Sequence, residues 1–196
     1  RTPHPMAQAL KADFPEVQSA VSLTPLYAAG LTKETHSFRN LKRDTRYDEK
    51  NILAVDTTFF DVFSFNLIQG NKQTAFNDPF SVVISENTAN ALFGEENPLG
   101  KSVIINAKNF DGTSIPFKVT GVIENFPANT HLQPGVLISY PTLFEFVGHR
   151  FDDSWYWNET YTYFRLHPHV DPKALEARFP EVVHRFNEQL AEQHLD

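Results

Sequence analysis

The segment Gly94-Glu95-Glu96-Asn97-Pro98-Leu99-Gly100-Lys101-Ser102 comes close to a phosphate-binding loop, where glycine N–H groups and a lysine cradle phosphates ahead of a helix. Its spacing is wrong, because five residues separate the glycines where four are needed. The run that follows, Val103-Ile104-Ile105, predicts a strand, so no helix N-terminus is offered to an anion. Glu95 and Glu96 add like charge against a nucleotide. The segment reads as a helix stop and a turn.

Metal chemistry has its best candidates among the eight histidines, of which His167-Pro168-His169 is the closest pair. His149 and Asp152 can add ligands from a loop. A catalytic zinc normally needs three protein ligands held by outer partners, and no HExxH or similar spacing occurs, so the pair reads as a surface turn. Acyl-transfer chemistry lacks both a GxSxG elbow and any cysteine. The adjacent acids Glu95-Glu96 and Asp152-Asp153 lie in polar loops, where solvated charge is the default. The sequon Asn158-Glu159-Thr160 falls at an expected strand position, which disfavours glycosylation. No catalytic, cofactor-binding or metal-binding residue is assigned, and no enzyme is expected.

The aromatic stretch Phe151, Trp155, Tyr156, Trp157, Tyr161, Tyr163 and Phe164 suits a recognition surface or a sheet core. Alternation favours the core, because these residues cannot all share one face and both faces must then be covered by protein. A net charge of -7 argues against a nucleic-acid backbone as partner. The basic cluster Arg39, Lys42, Arg43 and Arg46 is interrupted by Asp44 and reads as a solvated strand face. No run reaches the roughly 18 apolar residues of a membrane span. The chain begins at Arg1 and stops inside an amphipathic pattern, as a fragment of a longer protein would, and is expected to be soluble as given.

The elements that must carry these residues mix helix and strand. Met6 to Phe14 predicts a short helix stopped by Pro15; Val17 to Leu23, Phe38 to Lys42 and Ile52 to Val55 predict strands. Asp56 or Thr57 can cap a helix bearing Phe59, Phe60, Val62 and Phe63. Ser81 to Ile84 predicts a buried strand, and Ser85 caps a helix with Ala89, Leu92 and Phe93 that Gly94 ends. Lys101 to Asn106 and Pro116 to Glu124 predict a hairpin around Asp111-Gly112. Val136 to Tyr140 predicts a strand, Pro141 to Val147 a helix, and Trp155 to Leu166 a long aromatic strand. Asp171-Pro172 starts a helix whose stripe is Leu175, Phe179, Val182, Val183, Phe186 and Leu190, with Pro180 bending or interrupting it.

Several stretches in order resemble the periplasmic core domain of MacB/FtsX-like ABC transporter permeases, especially the form common in Bacteroidota. They are Val55-Asp56-Thr57-Thr58-Phe59-Phe60-Asp61-Val62-Phe63-Ser64-Phe65, Leu67-Ile68-Gln69-Gly70, Val82-Val83-Ile84-Ser85-Glu86 and Ala91-Leu92-Phe93-Gly94. Asn97-Pro98-Leu99-Gly100-Lys101, Phe117-Lys118-Val119-Thr120-Gly121-Val122-Ile123 and Pro127-Ala128-Asn129-Thr130-His131 follow; Gln133-Pro134-Gly135 departs from the pattern. All are scaffold words, and none brings a catalytic residue with it.

The resemblance implies an α+β fold with two lobes. A discontinuous porter-like α/β lobe takes residues 1–75 and 158–196, and an inserted, β-rich Sabre-like lobe takes 76–157. It implies a non-catalytic domain on the periplasmic side of the bacterial inner membrane, looped between the first two membrane helices, that couples cytoplasmic ATP hydrolysis to movement outside the membrane. The implied partners are its own transmembrane helices, a cytoplasmic ATP-binding subunit or domain, a second permease copy, and a periplasmic adaptor or substrate. No nucleic acid and no cofactor are implied. Two readings of other classes stay open: an extracytoplasmic ligand-binding or sensor module, and a hydrolase of unrecognised chemistry.

Overall fold

Val82, Val83 and Ile84 are all fully buried, yet they point to opposite faces of one sheet: Val82 and Ile84 pack with Leu92, Phe93 and Ile138, and Val83 packs with Leu23, Phe59 and Leu137. A strand covered on both faces needs a continuous apolar run, and this is why Ser81 to Ile84 does not alternate. The computed structural model describes residues 1–26, 36–106, 115–148 and 154–193.

Helix α1 (Met6–Asp13) leads into β1 (Val17–Pro25), followed by β2 (His36–Asn40), β3 (Thr45–Glu49) and β4 (Ile52–Val55). Next come α2 (Phe59–Val62), β5 (Leu67–Gly70), β6 (Ser81–Ser85) and α3 (Glu86–Phe93). The chain continues through β7 (Ser102–Asn106), β8 (Ile115–Ile123), β9 (Val136–Ser139), α4 (Tyr140–Val147) and β10 (Tyr161–Leu166), then ends with α5 (Pro172–Glu176) and α6 (Phe179–Gln193). The strands form one sheet in the order β10-β1-β4-β9-β6-β8-β7-β2-β3, with β5 also on β8. Pairing is antiparallel except for β4–β9 and β6–β8, which agrees with the expected α+β class. Strand β8 offers one edge to two partners: Ile115 to Lys118 pair with β7, and Gly121 to Ile123 pair with β5.

The sheet carries an apolar cluster on each face and a third at its β10–β1 end. One face holds Phe38, Ile84, Leu92, Phe93 and Phe117 under α3 and α4; the other holds Leu23, Val55, Phe59, Phe76 and Ile123 under α2. Each fully buried phenylalanine contributes about 1.5–3 kcal/mol of burial. The third cluster joins Ala7, Leu10 and Phe14 with Val17, Ala20, Trp155, Leu175 and Val182.

Several expectations need correcting. The helix bearing Phe59 starts behind Thr58, whose side chain makes no capping bond; Asp56 Oδ1 accepts the Thr58 N–H instead, as a turn ahead of the helix. Only Tyr161 onward is strand in the aromatic segment, because Trp155 turns away into the third cluster. The helix after Asp171 is interrupted as expected: it forms two helices, and Pro180 sits in the first turn of α6, where its missing N–H costs no bond. Strands β3 and β5 were not among the expected elements. Ser85, by contrast, caps α3 as expected, its Oγ accepting the Thr88 N–H at 3.2 Å. The Asp111-Gly112 turn lies outside the described residues.

Candidate functional site

In the loop from Gly94 to Ser102 the N–H groups around Gly100 and Lys101 are already used. Gly100 N–H donates to the Val119 carbonyl at 2.8 Å, Lys101 N–H to Pro98 at 3.0 Å, and Leu99 N–H to Asn97 Oδ1 at 3.0 Å. Lys101 Nζ lies 2.5 Å from Glu96 Oε2 and above the Phe93 ring, and Arg43 Nη1 donates to Glu96 Oε1 at 2.8 Å. The Lys101 and then the Arg43 bonds hold the Glu96 carboxyl below its usual range. Ser102 then opens β7, so the segment is a clamp between the β2–β3 turn and the α3–β7 loop, with no cradle for a phosphate.

His167 and His169 are exposed in a turn, where His169 has a φ of 71° and the His167 N–H donates to the Glu16 carbonyl. No group of three or more metal-ligating side chains occurs among the described residues. His149, Phe151, Asp152 and Asp153 lie outside them. In the sequon, Asn158 is exposed and precedes β10, whereas Thr160 is fully buried.

Polar groups do converge where the N-terminal segment meets the sheet. Thr2 and Thr160 exchange backbone bonds, at 2.7 Å from Thr2 N–H and 3.2 Å from Thr160 N–H. The Thr2 hydroxyl reaches that of Thr162 at 2.7 Å, and Thr160 Oγ1 lies 2.9 Å from Thr24 Oγ1. Thr24 also bonds the Tyr140 hydroxyl at the start of α4. The His4 ring stacks on Tyr140 at 4.4 Å, and its carbonyl accepts from Ser22 Oγ. Next to them, Asp56 Oδ2 accepts the Ser22 N–H at 2.8 Å, and burial pushes the Asp56 carboxyl above its ordinary pKa despite that bond and those from Thr58. Sequence reading missed this string, because threonine and serine are ordinary strand residues and only the topology brings them together.

The C-terminal helices pack at the other end of β1, against α1 and Val17. Leu175 and Val182 are buried against α1 and β1, Arg178 pairs with Glu16 and lies over the Phe14 ring at 4.7 Å, and Arg185 pairs with Asp13 at 2.6 Å. The description of the MacB-like periplasmic core domain matches residues 1–182 of this sequence. The chain belongs to that family.

The MacB-like domain is similar to the macrolide export ATP-binding/permease protein MacB of Aggregatibacter actinomycetemcomitans, with 34% identity over 92 residues. That match takes in 43% of the chain but spans only 13% of the relative's length. Among solved structures, it superposes on a domain of a permease protein from Porphyromonas gingivalis with a TM-score of 0.75 and 22% identity, covering 95% of this chain and 78% of that one. The periplasmic region of MacB from Actinobacillus actinomycetemcomitans gives 0.64 and 20%, covering 93% and 73%. The extracellular domain of the ABC-type transporter YknZ from Gram-positive bacteria gives 0.57 and 15%, covering 90% and 77%. These likenesses extend the MacB-like fold over nearly the whole chain.

Proposed function

We propose that this chain is the outer, non-catalytic part of an ABC transporter permease, working on the periplasmic side of the bacterial inner membrane. It passes movement driven by ATP hydrolysis in a cytoplasmic subunit or domain to a periplasmic adaptor or substrate. The observation that carries the reading is the packing of the N-terminal helix and the C-terminal helices into one cluster, with Leu10, Phe14, Leu175 and Val182 buried together. A domain looped between two membrane helices must bring both ends back to one side. Ends fixed to the same sheet edge pass a displacement on to the sheet. No helix among the described residues is long and apolar enough to cross a membrane, so on this reading the membrane helices belong to the rest of the permease.

The two lobes belong to the same proposal, a porter-like one at 1–75 and 158–196 and a Sabre-like one at 76–157. The sheet runs through both, since β2 pairs with β7 and β4 with β9, so the lobes would bend about shared strands. In the full-length permease with its ATP-binding partner and a second copy, cross-linking between the two outer domains should change with nucleotide state. An identical pattern in every state while transport continues would replace the relay with a passive scaffold.

A further inference from the structure

The loop after Phe126 is built to hold one shape. The Gln133 side-chain amide folds back and donates to the carbonyls of Pro127 at 2.7 Å and Thr130 at 3.0 Å, and the Leu132 N–H donates to Thr130 Oγ1 at 3.2 Å. Leu132 and Pro134 are buried beneath it. Gln133-Pro134-Gly135, the departure from the family pattern, is therefore the internal brace of the loop. What the brace presents is His131, whose Nε2 lies 2.6 Å from the Tyr163 hydroxyl with the rings stacked at 5.7 Å.

Beside this pair is a cleft of about 280 Å³. Its walls are Leu23 and Pro25 from β1, Leu53 from β4, and Tyr161 and Tyr163, which share one face of β10. Lys50 lines it too; the residue is exposed, and no carboxylate among the described residues pairs with its ammonium. The neighbouring acid, Glu49, is held by the backbone: its Oε1 accepts the N–H groups of Lys50 and Asn51, each at 2.8 Å. The cleft thus combines apolar and aromatic walls with a lysine ammonium that makes no ion pair among the described residues and a His–Tyr pair of hydrogen-bonding groups, the usual make-up of a small-molecule site.

Size and charge narrow the ligand. The cleft is open to solvent and has room for one small organic molecule. One lysine beside the Glu49 carboxylate can face a single carboxylate but disfavours phosphates or other polyanions, as does the net charge of -7. We propose that the cleft binds a small organic carboxylate, with its apolar body against Tyr161, Tyr163 and Leu53 and its carboxylate facing Lys50 and the His131–Tyr163 pair. This binding does not rest on the relay, because it needs neither the membrane helices nor the ATP-binding partner.

Calorimetric titration of the whole chain with 3-phenylpropionate, with 3-phenylpropan-1-ol as the neutral comparison, tests it. The expected result is saturable one-to-one binding in the millimolar range or tighter, with the alcohol roughly tenfold weaker. Lys50→Ala should remove that difference without unfolding the chain, since Lys50 is exposed. In proton spectra, the ring signals of Tyr161 and Tyr163 should shift with the same saturation. No saturable binding, equal affinity for acid and alcohol, an unchanged preference in Lys50→Ala, or ring signals that stay still would each overturn the proposal.

Discussion

Gly70 stands directly opposite Gly121 in the β5–β8 ladder, and neither position has room for a side chain. A Cβ on Gly70 would lie 2.4 Å from the Thr120 carbonyl oxygen and 2.9 Å from the Gly121 Cα, both backbone atoms, and Gly70 has a φ of +103°. On Gly121 the nearest obstacle, at 2.9 Å, is the Leu67 Cδ1, a side-chain end that can move. Gly70→Ala should therefore cost about 3 kcal/mol or more, from strain and overlap together, and Gly121→Ala about 1–3 kcal/mol. Urea unfolding of the two variants checks the order; a smaller loss at Gly70 contradicts it.

Leu175 is 3% exposed and Val183 is 55% exposed, though the apolar stripe at the C-terminal end includes both. Leu175→Ala should cost about 2–5 kcal/mol by opening a cavity against α1, and Val183→Ala should stay within about 0.5 kcal/mol of the parent. Comparable losses at the two sites would show that the helix face is rotated from the one described.

Asp56 titrates in the unfolded chain near the ordinary carboxylate value and higher than that in the fold, chiefly because it is buried. Between those two values the folded chain binds more protons than the unfolded one, so this group's contribution is present at acid pH and is lost as pH rises through the folded value. Asp56→Asn removes the titration. The stability of the parent relative to Asp56→Asn should therefore decline as pH rises above the ordinary carboxylate range and then level off. Denaturant midpoints for both proteins across that range test the sign, which a rising difference would reverse.

Lys101 spends its charge on Glu96 and the Phe93 ring, and the neighbouring N–H groups are bonded within the fold. Titration with ATP and magnesium should give no saturable heat, in the parent or in Lys101→Ala. Micromolar binding abolished by Lys101→Ala would revive an ATPase reading.

What was legible in the sequence was local. Ser85 as a cap, Gly94 as a stop and the unbroken run to Ile84 each depend on neighbours a few residues away, and each is found in place. Strand β3 was not legible, because Thr45-Arg46-Tyr47-Asp48-Glu49 has a polar, half-exposed pattern and becomes a strand only by pairing with β2. The aromatic segment misled because strand propensity says nothing about Trp155 finding a better apolar contact beside Leu10 and Leu175. The cleft was invisible for the same reason, since Lys50, His131 and Tyr163 come from three distant stretches that meet only after β1 pairs with both β4 and β10.

That placement of β1 also sets the order in which a nascent chain can mature. One edge of β1 meets β4 early, but its other partner, β10, leaves the ribosome only after β9 and α4, and the Thr2–Thr160 pairing closes a separation of 158 residues. Closing a loop of that length costs roughly 4–5 kcal/mol before any contact repays it. Until then an apolar strand edge stays open to wrong partners. This topology predicts that folding completes late, and that truncation before β10 leaves an open β1 edge and a chain prone to aggregate.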